Sequence, residues 1–174
     1  MKPKVKIYID GANIFYTQKK LGWFIDWEKM KNYIGKEKEI IEWRYYVGVK
    51  DDDEKMQKYL KYLNIVGFDT ITKPLKKIKI SNDEILSEIY KTNYIYKANF
   101  DVEITADILL DKFKIDEVII FSGDSDFCYL VKKLKDTGLK VTIYSSRKTI
   151  SWELKLEGSK IVYFEDIENE IKRK

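Results

Sequence analysis

Two stretches place aspartates where a strand would hand over to a helix: Ile9-Asp10-Gly11-Ala12-Asn13 and Phe121-Ser122-Gly123-Asp124-Ser125-Asp126-Phe127. Val118 to Phe121 is an apolar, β-branched run suited to a buried parallel strand, and Phe127, Leu130, Val131 and Leu134 follow at helical spacing. Asp124 and Asp126 therefore belong to the turn at a strand's carboxyl end, the edge where open α/β sheets bind ligands. Lys4 to Ile9 reads as another such strand, ending in Asp10, with Gly11 allowing a tight turn and Asn13 placed to cap the next helix. Asp101 opens a further helix, with Lys97 one turn before it. Each acid also has an ordinary reading: Ser125 or Asp126 as a helix cap, Asp10 as a turn residue, Asp101 as a cap. A cap needs one carboxylate, however, and Asp124 and Asp126 stand two residues apart.

If the two strands are neighbours in a doubly wound sheet, Asp10 and Asp124 meet at the switch point. Carboxylates that share a small site cannot all stay ionised without a cation. The chain has no histidine and one cysteine, Cys128, which leaves hard oxygen ligands and favours Mg²⁺ or Mn²⁺. Such ions bind phosphates and activate water. The lack of histidine removes Ser-His and Cys-His nucleophiles and histidine-bound zinc, and the single cysteine removes any intrachain disulfide. Cys128 reads as a small buried thiol.

The elements that must position these acids alternate. A chain of 174 residues, 44% of them hydrophobic, can bury a full core, and one domain over 1–174 is expected. No apolar run is long enough to span a bilayer and no signal-peptide pattern leads the chain, so a cytoplasmic protein is expected. Asp26 caps a short helix ending near Gly35, and the preceding Trp23 and Phe24 read either as packing residues or as a surface for stacking bases. Glu39 to Val49 is a strand, and Asp51-Asp52-Asp53 reads as the start of a helix carrying Met56, Tyr59, Leu60 and Leu63. A strand within 68–80 ends in Lys73-Pro74-Leu75-Lys76-Lys77-Ile78-Lys79, either a lysine-guarded edge or a phosphate-contacting one. Residues 81–96 read as an insertion or short helix. Val102, Ala106, Leu109 and Phe113 give the helix after Asp101 an apolar face, with Asp107, Glu103 and Asp111 on its polar side and the last two solvated. Lys140 to Tyr144 and Lys160 to Phe164 are later strands, and Arg147 and Lys148 lie in a loop on the ligand side. Alternating strands and helices give a three-layer α/β/α sandwich around a mainly parallel sheet.

Asp10-Gly-Ala-Asn13, Lys97 with Asp101-Val102 opening a helix that carries Asp107, and Ser122-Gly-Asp124-Ser-Asp126-Phe127 together resemble the NYN domains. They resemble most the LabA/DUF88-like branch of the PIN-like nuclease superfamily, in segment order over nearly the whole chain. Ala98-Asn99-Phe100 stands where the family often has a glycine-containing turn. The resemblance implies a PIN-like parallel sheet, Mg²⁺ or Mn²⁺ as cofactor, and hydrolysis of RNA phosphodiesters; RNA is the expected partner, with single-stranded DNA as the alternative to it. It implies that Asp10, Asp101, Asp124 and Asp126 form the catalytic metal site, supported by Asn13, Ser122, Ser125 and Asp107. Lys73, Lys76, Lys77, Lys79, Lys97, Arg147 and Lys148 are the candidate contacts to nucleic acid. The formal net charge of +4 permits such a partner without demanding it.

A non-catalytic module that binds RNA or a nucleotide through an acidic pocket is the alternative, since the family includes regulatory members. A haloacid-dehalogenase-type phosphatase fits less well, because Ala12 stands where its second aspartate would.

Overall fold

In the computed structural model the described residues are 1–50, 53–79, 94–111, 114–158 and 160–174. The elements run β1 (Lys4–Asp10), α1 (Gly11–Leu21), α2 (Trp27–Gly35), β2 (Glu39–Val49), α3 (Glu54–Val66), β3 (Asp69–Pro74), β4 (Lys76–Lys79) and β5 (Tyr94–Lys97). There follow α4 (Asp101–Leu109), β6 (Glu117–Phe121), a 3₁₀ turn (Ser125–Phe127), α5 (Cys128–Asp136), β7 (Lys140–Ser145), α6 (Trp152–Glu157), β8 (Lys160–Tyr163) and α7 (Glu168–Ile171). Six strands form one sheet in the order β3-β2-β1-β6-β7-β8, and every pairing in it is parallel. The chain winds outward from β1 to β3, crosses back to β6, and winds outward again to β8. The switch point lies between β1 and β6.

Period-two alternation sends successive side chains to opposite faces, so each central strand feeds two cores. Ile7 and Ile9 of β1, Trp43 and Tyr45 of β2 and Phe121 of β6 face Ile14 of α1, Trp27 and Met30 of α2, and Leu63 of α3. Trp27 is the hinge of this core, meeting Tyr45 and Phe68 edge-on at 5.6 and 5.5 Å. On the other face Tyr8, Tyr46, Val118, Ile120 and Ile143 meet Ile104 and Ile108 of α4, Leu130 and Leu134 of α5 and Leu154 of α6. The expected three-layer sandwich is the observed one. Among the described residues no helix is long and apolar enough to cross a membrane.

Several local expectations give way to tertiary context. The buried residues of α4 are Ile104 and Ile108, whereas Val102 and Leu109 are exposed. Phe100, Ile104 and Ile108 pack into the core on the sheet-facing side, and the acids at 107 and 111, spaced with them, find cations there. Asp107 pairs with Arg44 at 3.0 Å, and Asp111 is buried against Lys6. Asp111 is therefore not solvated, and Glu103 pairs with Lys73 at 2.6 Å. The basic stretch is also divided. Lys73 stays in the main sheet, and Lys76–Lys79 form an antiparallel ribbon with Tyr94–Lys97. The expectation for 81–96 falls largely outside the described residues, as do Phe113, Asp51 and Asp52, but Tyr94–Lys97 is a strand. Asp53 caps α3 by accepting the Met56 N–H. Cys128, at the start of α5, is only partly buried.

Lys6 is almost fully buried and bonded to both Glu42 and Asp111, and Tyr8 also donates to Asp111 at 3.2 Å. Removing one partner of a buried charge is far costlier than removing a surface ion pair. Asp111→Ala is expected to lower the unfolding free energy by about 2–4 kcal/mol, the lower part of the range reflecting Glu42, as read from urea titration. A loss below about 0.5 kcal/mol would place this pair with surface ion pairs.

Candidate functional site

β1 and β6 leave the sheet side by side. Ile9 is paired with Phe121, so Asp10 and Ser122 are the next residues across the switch point. Asp10 itself caps α1: its Oδ1 accepts the Asn13 N–H at 3.2 Å, and its Oδ2 accepts the Ser122 hydroxyl at 3.3 Å. With the cap supplied by Asp10, the Asn13 carboxamide is free to cross the gap. It accepts the Gly123 N–H at 2.9 Å and ties the two turns together. The Ser122 Oγ also accepts the Asp124 N–H at 3.2 Å. Asp124, not Ser125 or Asp126, caps the 3₁₀ turn by accepting the Asp126 N–H at 3.1 Å. Ser125 is exposed and contributes its backbone carbonyl to Cys128.

Gly123 is fixed by close packing. A Cβ there would lie 2.5 Å from the Thr149 carbonyl oxygen, and its own carbonyl accepts the Ser151 N–H at 2.8 Å. The loop after β7 is thereby pressed against the acidic turn.

Asp101 is the first residue of α4, not its cap, and its N–H donates to Asn99 Oδ1 at 2.8 Å. This Asx turn organises the entry to the helix in the place of a glycine turn.

The electrostatics join these segments. Burial pushes the Asp10 carboxyl up to about 6, and Asp101 and Asp124 add to the rise, while the Asn13 N–H and Ser122 hydroxyl oppose it. Asp101 is also raised, by burial first and then by Asp124 and Asp126, with Asn99 and Lys97 opposing. Asp10, Asp101, Asp124 and Asp126 thus share one field. Asp107 does not join them: it accepts the Tyr46 hydroxyl at 2.7 Å and pairs with Arg44, anchoring α4 to β2.

Among the described residues no three acidic or thiol side chains stand at the spacing of a formed metal cage. The donor chemistry is all carboxylate, and Mg²⁺ retains several waters while taking only one or two carboxylates. An open group of aspartates fits that habit better than it fits zinc.

The candidate cations divide. Lys76, Lys77 and Lys79 are exposed on the ribbon, with Lys97 opposite Lys76. Lys73 is held by Glu103 and lies over the Phe100 ring at 4.4 Å. Arg147 makes a two-pronged pair with Asp166, both contacts at 2.8 Å, and Lys148 donates to the Lys20 carbonyl. The sequence reading missed these acid partners because they lie far away along the chain. It also missed the Asn13–Gly123 bond, for which the carboxamide of Asn13 was the only signal.

The model of the NYN domain family matches residues 4–165. The chain belongs to the NYN domain family. It is 31% identical over 172 residues to the low amplitude and bright protein LabA of Synechococcus elongatus, an alignment covering 98% of this chain and 88% of that protein. The crystal structure of a protein of unknown function from Vibrio parahaemolyticus superposes with a TM-score of 0.78 at 25% identity, covering 99% of this chain and 97% of that one.

The raised Asp10 carboxyl of this NYN domain has a consequence for the metal-free protein. A folded pKa near 6 against an unfolded value of 3.8 means that its contribution to stability is complete below about pH 4. That contribution is lost as pH rises through about 6. Asp10→Asn is therefore expected to raise stability by about 2 kcal/mol at pH 7.5 in chelator and to change it little at pH 4. Thermal melts at the two pH values check this; an equal effect at both would remove the titration of Asp10 as the cause.

Proposed function

We propose that this NYN domain is a metal-dependent ribonuclease, with Asp10, Asp101, Asp124 and Asp126 as its Mg²⁺ or Mn²⁺ site. The supporting observation is the shared field of these carboxylates at the switch point, where the half-buried Asp10 has no cationic partner among the described residues. A divalent ion bound there would activate water and offset the charge that develops on the phosphate and its leaving oxygen.

The chain's own groups set the geometry. Asn13 and Ser122 hold Asp10 by two hydrogen bonds and hold the Gly123-Asp124 turn beside it. Asp124 is oriented by its bond to the Asp126 N–H, and Asp101 by the Asn99 turn. Lys97, close enough to stabilise the ionised Asp101, is placed to meet a phosphate beside the acids. With no histidine, a His acid–base pair working through a 2′,3′-cyclic phosphate is not open to this chain. The products expected are a 5′-phosphate and a 3′-hydroxyl, the polarity that the family resemblance implies.

The parent protein with Mn²⁺ is expected to cut end-labelled RNA, and chelator or Asp124→Asn to abolish cutting. Mn²⁺ should raise the melting temperature of the parent and not of the variant, since a ligand stabilises only the state that binds it. Cyclic-phosphate ends, or cutting unaffected by chelator, would overturn the reading. The open spacing of the acids favours one alternative, a regulatory module that binds RNA without cutting it. Metal-dependent stabilisation and RNA binding without products would identify that case.

An acidic site repels phosphates, so attraction must come from around it. Replacing Lys76, Lys77 and Lys79 with alanine is expected to flatten the slope of log affinity against log salt by about 2 for single-stranded RNA. An unchanged slope would leave the ribbon a solvated edge.

A further inference from the structure

Beside the acidic cluster lies a cleft of about 640 Å³ between α1, the start of α3 and the β4–β5 ribbon. Gly11 and Ala12 form part of its wall directly after Asp10, and Lys97 and Ala98 form another part just before Asp101. Small residues therefore join the cleft to the acids on two sides. The floor is apolar and aromatic. Trp27 donates to the Tyr59 hydroxyl at 2.9 Å, and Tyr59 donates to Tyr45 at 3.2 Å, so these polar tips satisfy one another.

The mouth is different. Phe15, Phe24 and Tyr96 line it and are 49%, 47% and 46% exposed, which is unusual for three large rings around one opening. Phe15 and Phe24 stand 6.5 Å apart. Lys19 lies 4.5 Å from the Phe15 centroid, and Lys50 lies 3.5 Å from that of Tyr96. Among the described residues the charged lining is Lys55, Lys97 and Arg173 against one carboxylate, Asp53, which is occupied in capping α3. On the ribbon Lys77 is paired with Tyr96 and Lys79 with Tyr94, extending the alternation of cation and ring outward from the mouth. Cations beside exposed rings match a ligand that is planar and aromatic in one part and anionic in another. An apolar peptide segment would have no use for the cationic rim.

We infer that this cleft is a base-binding subsite, in which unpaired bases of single-stranded RNA stack on Phe15, Phe24 and Tyr96 while Lys55, Lys97 and Arg173 meet the adjoining phosphates. The inference rests on the ribonuclease reading and adds to it a place for the bases, apart from the acids that would meet the phosphate. Stacking releases no counterions, so its loss weakens binding without changing the salt slope, unlike the loss of a lysine.

The test is fluorescence anisotropy in Mg²⁺ with labelled eight-residue oligoadenylate and an abasic ribose–phosphate oligomer of equal charge. Both are bound to the full chain carrying Asp124→Asn to prevent cutting. Adding Phe15→Ala and Phe24→Ala together should weaken oligoadenylate binding about tenfold or more, with an unchanged salt slope. The abasic oligomer should bind weakly to both proteins. Tyr96→Ala, at an exposed position on a different element, should weaken oligoadenylate binding in the same sense. If the oligomers bind alike and the ring variants bind like their parent, the base subsite is overturned and the cleft serves another occupant, such as a peptide. The ribonuclease reading then survives provided the unsubstituted protein cuts RNA with Mn²⁺. If it neither binds nor cuts RNA, that reading falls and the subsite falls with it.

Discussion

The parallel pairing of β1 with β6 is the constraint on which the carboxyl edge depends. Residues 5–9 and 117–121 lie side by side in a register that both faces of the sheet enforce, because a slip of one residue would exchange the two cores. With that register fixed, Asp10 and the Ser122-Gly123-Asp124 turn emerge together. Asn13 and Ser122 then fasten one turn to the other by hydrogen bonds that neither segment could make alone. Gly123 completes the arrangement, since only a residue without Cβ lets the loop at Thr149 approach.

The two ends of the sheet treat charge in opposite ways. Toward the amino ends, acids have partners: buried Glu117 is bonded to Lys38 and Thr142, Asp111 to Lys6 and Tyr8, and the exposed Asp116 accepts the Lys4 N–H at 2.7 Å. These contacts hold the ends of the strands and the loop after α4. At the carboxyl edge Asp101 and Asp124 raise the Asp10 carboxyl, and Asp124 and Asp126 raise that of Asp101, with Lys97 opposing. Among the described residues Asp10 has no cationic partner at this edge, and on the proposed reading a bound cation would take that place.

Surface chemistry follows the same division. Arg147 and Lys73 have carboxylate partners and act as tethers, Arg147 fastening the loop after β7 to Asp166 and Lys73 fastening β3 to α4. Lys76, Lys77 and Lys79 stand on a two-stranded ribbon outside the main sheet, with tyrosines on the opposite strand. The ribbon adjoins the aromatic cleft, and the cleft adjoins the acids. Attraction for phosphate, contact with bases and the acidic cluster thus form one continuous surface on the proposed reading.

The sequence by itself determined the alternation of strands and helices, the parallel three-layer class, and the positions of Asp10 and Asp124 at strand ends. Those features are local: β-branched runs, turn residues and helical spacing lie within a dozen residues of one another. The family motif was legible for the same reason. Tertiary structure decided what depends on distant partners. Spacing put Val102, Ala106 and Leu109 on the apolar face of α4 and Asp107 and Asp111 on the polar side. In the fold Ile104 and Ile108 are buried instead, and Asp107 and Asp111 pair with Arg44 and Lys6, on strands far away in the chain. Asn13 had the composition of a cap, yet Asp10 took that role and left the carboxamide for Gly123. Trp23 and Phe24 were adjacent aromatics with identical local signals; packing buried Trp23 and left Phe24 at the mouth of the cleft. Local pattern places residues at an edge or on a face, whereas hydrogen bonds and ion pairs between segments need the folded register before either partner can be identified.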